Sequence, residues 1–337
     1  MRLLVPVDSL RPRGGIERSA LEVTEVLAAH GHTVLTPYRE DGALHDRWEC
    51  VAQLQQVRSF AWRRHAAPGD TWALRGTLRG SRAFAPDAIW LNRSEHLVWG
   101  LLAARWTGAG LVVHLRQPPT YRVSPWVDRR VHRWLAVSEA VATAWRARGA
   151  TRVEVVPNGV DPLAYPPPVT RAARRTVLYL GRFAPEKGLD ILARAWPLVP
   201  DADLVAAGPG DASVLRSLAR VTVLPEQVDV VPLLQDADVL VLPSTWQEPF
   251  GRVVVEALSA GVPVVASAVG GIPEILTGEL ANGLVPAGDH VALARAIEQA
   301  LSQGPEYRVR CREHAADRFS LARTAAAVEA VLVEASS

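Results

Sequence analysis

A chain of 337 residues is long enough for about two domains, and 49% hydrophobic with 21% charged residues is an ordinary globular composition. The N-terminal run MRLLVPVDSL is broken by Pro6 and Asp8, which fits neither a signal peptide nor a membrane span. The two cysteines, Cys50 and Cys311, lie far apart with no CxxC or Cys/His metal spacing, so a reducing cytoplasm is expected.

The net charge of +2 hides a split. Residues 1–170 carry 22 Arg against 15 Asp and Glu, while residues 171–337 carry 15 Lys and Arg against 20 Asp and Glu. Nine of the 11 tryptophans also fall in the first half, which raises nucleic acid, an anionic surface or a sugar-like ligand as partners. The arginines scatter over many elements without a recognisable nucleic-acid module, so no nucleic-acid partner is expected. Of the 37 basic residues, 36 are arginine, leaving Lys187 as the lone lysine. Either chance preserved it, or its site needs a compact ammonium that a planar guanidinium replaces poorly.

In chain order, MRLLVPV reads as a buried strand, and after a glycine loop IERSALEVTEVLAAHG has helical apolar spacing ending at Gly31. HTVLTPY, DAIWLN, AGLVVHL, RWLAVS and RVEVVPNG continue as short strands. The segment DPLAYPPPVTRAARR, with Pro162 and Pro166–Pro168, reads as a linker. Alternation then restarts with TVLYLG, ADLVAAG, VTVLPE, ADVLVLPS and VPVVAS, and the C-terminal SLARTAAAVEAVLVEA is helical. The βα alternation predicts two doubly wound, Rossmann-like α/β domains facing across a cleft. Their expected bounds are 1–165, a linker at 166–175, a second domain at 176–312, and a C-terminal helix at 313–337 packing back toward the first domain.

Three loops carry the chemistry. RPRGGIE places Gly14 and Gly15 between the first strand and first helix, an arrangement suited to phosphate but lacking the third glycine of a dinucleotide fingerprint. LGRFAPEKG offers Arg182 and Lys187 after a strand, two cations suited to a diphosphate. In STWQEPFGRVVVEALSAG, Glu248 precedes a Pro-Phe-Gly turn and Glu256 lies on the second turn of the helix that follows. The N–H groups of Phe250, Gly251 and Arg252 then hold an anion at the positive helix end, with a carboxylate on each side for sugar and ribose hydroxyls. The structural alternative makes Glu256 the partner of Arg252 at i−4, but it leaves the rest of this constellation unexplained.

With these residues in place, the chain resembles the family-4 retaining glycosyltransferases of the GT-B fold. The resemblance is carried by GGIERSALEVTEVLAAHGHTV, VPNGVD, GRFAPEKG, the E-x7-E motif Glu248–Glu256, GGIPEI and NGLVPAGD. It implies that Arg182 and Lys187, after Gly181, neutralise a leaving diphosphate. Glu248 then holds donor-sugar hydroxyls and Glu256 the ribose, with backbone amides from Phe250 through Gly251 and Arg252 to Val253 on the diphosphate. Gly14 and Gly15 meet the phosphate from the N-terminal side, and His114 matches the family histidine near the donor sugar.

The implied activity is transfer of a hexose-type sugar, with retention, from a nucleoside-diphosphate sugar to a hydroxyl acceptor. A UDP-sugar is expected in preference to a GDP-sugar, although Pro225-Glu226 stands near the base where a glycine usually ends the strand. No cofactor or metal is implied. The acceptor is expected to be a soluble metabolite, with no membrane docking by the Arg- and Trp-rich stretch Trp126–Gly149. The competing readings are a nucleotide-sugar epimerase, a phosphorylase, a sugar-nucleotide sensor, or a lipid or glycan transferase at a membrane surface.

Overall fold

The computed structural model describes residues 1–12, 14–60, 68–167 and 174–337, with only the backbone described over 68–75. The chain divides into two compact units, Met1–Asn158 with Leu321–Ser337, and Gly159–Ser320. The chain thus leaves the first unit earlier than position 165. Of the expected linker 166–175, residues 168–173 lie outside the described residues. Position 313 falls inside the helix Pro305–Phe319 of the second unit. The crossing comes at Ser320 instead, whose extended backbone (φ −72°, ψ 143°) ends that helix before Leu321–Ser336 begins another.

Strands of the first unit are β1 (Arg2–Leu4), β2 (Val7–Ser9), β3 (Thr33–Glu40), β4 (Gln53–Gln56), β5 (Ala88–Leu91), β6 (Gly110–Leu115), β7 (Arg133–Ala136) and β8 (Val153–Val155). All their pairings are parallel. β1 and β2 both pair with the side of β3 opposite β4, so they are one strand interrupted at Pro6, which has no N–H to give the ladder. The sequence expectation missed β4, because QLQQ has no apolar run; as the far neighbour of β3 it sits at the sheet edge and needs none.

The helix Leu321–Ser336 lies on Gly15–Ala29 and on β5 and β6. It buries Ala325, Val328, Val331 and Leu332 in the same core as Leu3, Leu21, Trp90 and Val112. The last residues of the chain therefore complete the core of the first unit.

The second unit orders its strands β11 (Val221–Leu224), β10 (Ala202–Ala207), β9 (Arg175–Leu180), β12 (Val239–Leu242), β13 (Val264–Ser267), β14 (Leu284–Val285), again all parallel. The chain starts at β9, moves outward through β10 and β11, then returns to the other side of β9 as β12. Strand order therefore reverses between β9 and β12, and the carboxyl ends of those two strands open the crevice in which such sheets bind ligands. β1 and β5 mark the same reversal in the first unit. Two parallel α/β sheets of this kind are the GT-B architecture expected from the sequence.

Leu332→Ala removes a fully buried side chain from the first unit's core. It is expected to lower that unit's stability by about 3 kcal/mol, read by urea denaturation as an earlier transition in one of two phases.

Candidate functional site

Both functional loops of the second unit leave the sheet at the reversal point. After β9 the chain passes Gly181 and Arg182, forms a short 3-10 turn at Pro185–Lys187, and starts the helix Leu189–Ala195 from Gly188. After β12 it runs through Pro243 to Phe250 and enters the helix Arg252–Ser259 at Gly251. The loops are fastened together. Thr245 N–H donates to the Glu186 carbonyl at 3.0 Å. A Cβ on Gly188, whose φ is +72°, would overlap the Pro243 carbonyl, so that close approach needs glycine.

Between the loops, Lys187 Nζ lies 2.5 Å from Glu248 Oε1, and Ser244 Oγ donates to the same oxygen at 2.5 Å. Ser244 is fully buried and Glu248 nearly so. Two expected ligand residues on loops that follow separate strands thus meet, with Ser244 as a third member that the sequence reading missed. Its signal was only its place two residues after a buried strand end.

The Glu248 peptide is held from the other side, where its carbonyl accepts from Gly271 N–H at 2.8 Å. Gln247 Oε1 accepts from Gly270 N–H at 2.9 Å.

Glu256 sits one turn into the helix Arg252–Ser259, with its Oε1 accepting from Arg252 Nε at 2.7 Å, and both side chains are buried. The pairing weighed as a structural alternative therefore does form, within the same constellation as Glu248. Gly251 enters the helix at φ +100°, where a Cβ would overlap Ile272. Phe250 is buried against Phe319, and Val253 lies in the first helical turn. First-turn N–H groups have no partner inside a helix and make that end electropositive.

Arg182 is different. Its side chain is mostly exposed and pairs with Glu186 at 3.1 Å. Its carbonyl accepts from Tyr179 Oη at 2.8 Å. Burial, with the Glu248 charge adding, raises the Tyr179 phenol far above its ordinary value, so it remains a neutral donor. Gly181 N–H donates to the Ala207 carbonyl at 3.1 Å, placing that turn beside the end of β10.

In the first unit, Gly14 and Gly15 stand where expected, before and at the start of the helix Gly15–Ala29, which has no side-chain N-cap. Glu17 in its first turn is buried and pairs with Arg93, which follows β5. The expectation for His114 needs correction. It lies within β6, fully enclosed, with neither ring nitrogen in hydrogen-bond geometry and its ring centroid 6.0 Å from that of Trp90. Burial, with the Arg116 charge adding, holds the imidazole neutral, well below its ordinary pKa.

The residue presented at the carboxyl end of β6 is Arg116, two positions on. Its guanidinium donates to Asn92 Oδ1 at 2.8 and 3.1 Å and to Asn158 Oδ1 at 2.5 Å. None of these three was given a role from the sequence: Asn158 lies within the VPNGVD segment without being singled out, and an isolated Arg116 or Asn92 carries no spacing signal. Among the described residues no group of three or more His, Cys, Asp or Glu is placed to hold a metal ion.

Two parallel α/β sheets, each with a strand reversal, define the GT-B class of fold. The sequence profile of Glycosyltransferase Family 4 matches residues 13–162, and that of Glycosyl transferases group 1 matches residues 174–303. The chain belongs to glycosyltransferase family 4.

A phosphatidyl-myo-inositol mannosyltransferase of Mycobacterium leprae is 38% identical over 191 residues, covering 51% of this chain and 50% of that protein. A D-inositol 3-phosphate glycosyltransferase of Mycobacterium sp. is 38% identical over 191 residues, covering 49% of this chain and 43% of that protein. The chain thus spans about half the length, or less, of the curated relatives it matches. Among solved structures, Anabaena HepE in complex with UDP-glucose superposes with a TM-score of 0.80 at 23% identity, covering 99% of this chain and 100% of that one. A sucrose-phosphate synthase of Thermosynechococcus elongatus gives 0.80 at 21%, covering 99% and 98%. These two show the shared fold.

Gly270 (φ +55°) and Gly278 (φ +59°) have nearly the same backbone, but a Cβ on Gly270 would overlap the Glu248 carbonyl whereas none lies near Gly278. Gly270→Ala is expected to destabilise the second unit by about 2 kcal/mol more than Gly278→Ala, measured by thermal unfolding. Equal losses would mean that Glu248 is not held by that contact.

Proposed function

We propose that this chain is a retaining glycosyltransferase that moves a hexose-type sugar from a nucleoside-diphosphate sugar, a UDP-sugar in preference, to a hydroxyl acceptor. The observation that carries the reading is the convergence of Lys187, Glu248, Glu256 and a helix N-terminus at the strand reversal of the second unit. An anion seated there meets the Lys187 ammonium and the first-turn amides from Phe250 to Val253, while the two carboxylates flank it as acceptors for neutral hydroxyls. Glu248 takes the donor sugar and Glu256 the ribose, with Arg182 on the diphosphate from the solvent side.

Departure of the diphosphate is the charge-developing step. As the anomeric C–O bond breaks, negative charge builds on the phosphate oxygen, and fixed cations and amides there stabilise the transition state more than the ground state. The acceptor oxygen attacks the oxocarbenium-like centre from the face the leaving group vacates, and its proton passes to the departing phosphate. No metal is required, since cations and amides already neutralise the leaving group.

The acceptor is proposed to be a soluble hydroxyl compound. Within Trp126–Gly149, Trp134 and Trp145 are fully buried and stacked on each other with centroids 6.1 Å apart, and Trp126 is covered on one face by Arg130 at 3.8 Å. Two of the three tryptophans in that stretch thus belong to the core and only Trp126 is exposed, which supports an acceptor taken from solution. No helix among the described residues is long and apolar enough to cross a membrane.

Lys187→Ala is expected to lower kcat roughly a hundredfold, on the order of 3 kcal/mol, with a smaller rise in donor KM. Lys187→Arg should recover part of the rate, and Arg216→Ala, at an exposed helix position, should be near neutral. Donor turnover, screened with UDP- and GDP-sugars, should survive EDTA. Wild-type kcat in Lys187→Ala, or loss in EDTA reversed by magnesium or manganese, would overturn the mechanism.

A further inference from the structure

We propose that Arg252 is a positioning residue for nucleotide recognition: it pins Glu256 by one carboxylate oxygen so that the other receives both hydroxyls of a ribose diol. The inference rests on the reading of Glu256 as a ribose ligand and gives the Arg252 side chain, expected from the sequence only as a structural partner of Glu256, a role in that recognition.

Three observations carry it. Arg252 Nε donates to Oε1 of Glu256, and among the described residues no donor reaches Oε2 of Glu256. Glu248 repeats the pattern, with Lys187 and Ser244 both on its Oε1 and no protein donor among the described residues on its Oε2. Each carboxylate is thus fixed through one oxygen with the second left for a ligand.

The third observation is the placement of Arg252 on the helix. It opens the helix Arg252–Ser259, so its cation sits at the end that the helix dipole already makes positive. An arginine four residues before a glutamate is also the less favourable order for a helical ion pair. Burying such a pair gives little net stability over an apolar packing. Helix stability therefore does not account for Arg252. Its contact with Glu256 instead fits orientation of that carboxylate, because a carboxylate free to rotate would lose part of its interaction with a diol to the entropy of fixing it.

The test uses the full chain and calorimetric titration with UDP and 2′-deoxy-UDP, with the GDP pair in parallel. Wild type is expected to prefer the ribonucleotide by tenfold or more, in line with a hydrogen bond to a charged group. Arg252→Met should weaken UDP about tenfold, leave 2′-deoxy-UDP nearly unchanged, and raise donor KM more than it lowers kcat. Arg252→Lys should restore part of the discrimination, and Glu256→Gln should lose it as Arg252→Met does, which covers the case of a poorly folded Met variant. Discrimination that persists at the wild-type level in Arg252→Met, or equal weakening of both nucleotides, sinks this inference alone. Failure of wild type to bind either UDP or GDP sinks the functional reading and this inference together.

Discussion

The contact between Lys187 and Glu248 organises the second unit's site. It joins the loop after β9 to the loop after β12 where strand order reverses, and it does so between a buried Glu248 and a largely covered Lys187. Burying a lysine and a glutamate together is costly unless their remaining polar valences are met. Ser244 meets one of them, and the zipper between Thr245 and Glu186 brings the backbones close enough for the short ammonium contact. The requirement is for a point charge. Glu248 Oε1 already accepts from Ser244, so a bidentate guanidinium would compete for both carboxylate oxygens and occupy the lobe now left open. In a chain whose other basic residues are all arginine, that geometry explains why position 187 is lysine.

Glycine sets the walls of the same site. Gly188 allows the Pro243 carbonyl against the turn that carries Lys187, Gly270 allows the Glu248 carbonyl behind its carboxylate, and Gly251 gives the helix Arg252–Ser259 its entry beside Ile272. All three have positive φ and a neighbour in the place of a Cβ. The polar groups are thus positioned by backbone packing, and the side chains need few alternative rotamers to search.

The first unit uses its reversal point differently. Its carboxyl-end residues form a buried network of neutral amides around one guanidinium, Arg116 with Asn92 and Asn158, beside the Arg93–Glu17 pair that ties the first helix to the loop after β5. The core of this unit is closed by the chain's last helix, so its folding depends on residues that are 320 or more positions from its first strand.

Period and punctuation in the sequence were enough for the two sheets. Apolar runs of four to six residues separated by helical spacing admit little besides parallel strands with crossover helices, and the loops bearing Gly14, Gly15, Lys187, Glu248 and Glu256 were legible because each follows such a run. β4 escaped because an edge strand needs no apolar face. His114 was misread because sequence marks which residue types end a strand without marking how completely packing covers them; His114 is fully enclosed against Trp90, and the strand ends one residue further on, before Arg116 and its hydrogen-bond partners. Pairings across the chain, such as Ser244 and Lys187 on one oxygen of Glu248, were likewise decided only when β12 returned beside β9. Their partners are set by strand order, and strand order comes from long-range packing that no local spacing records.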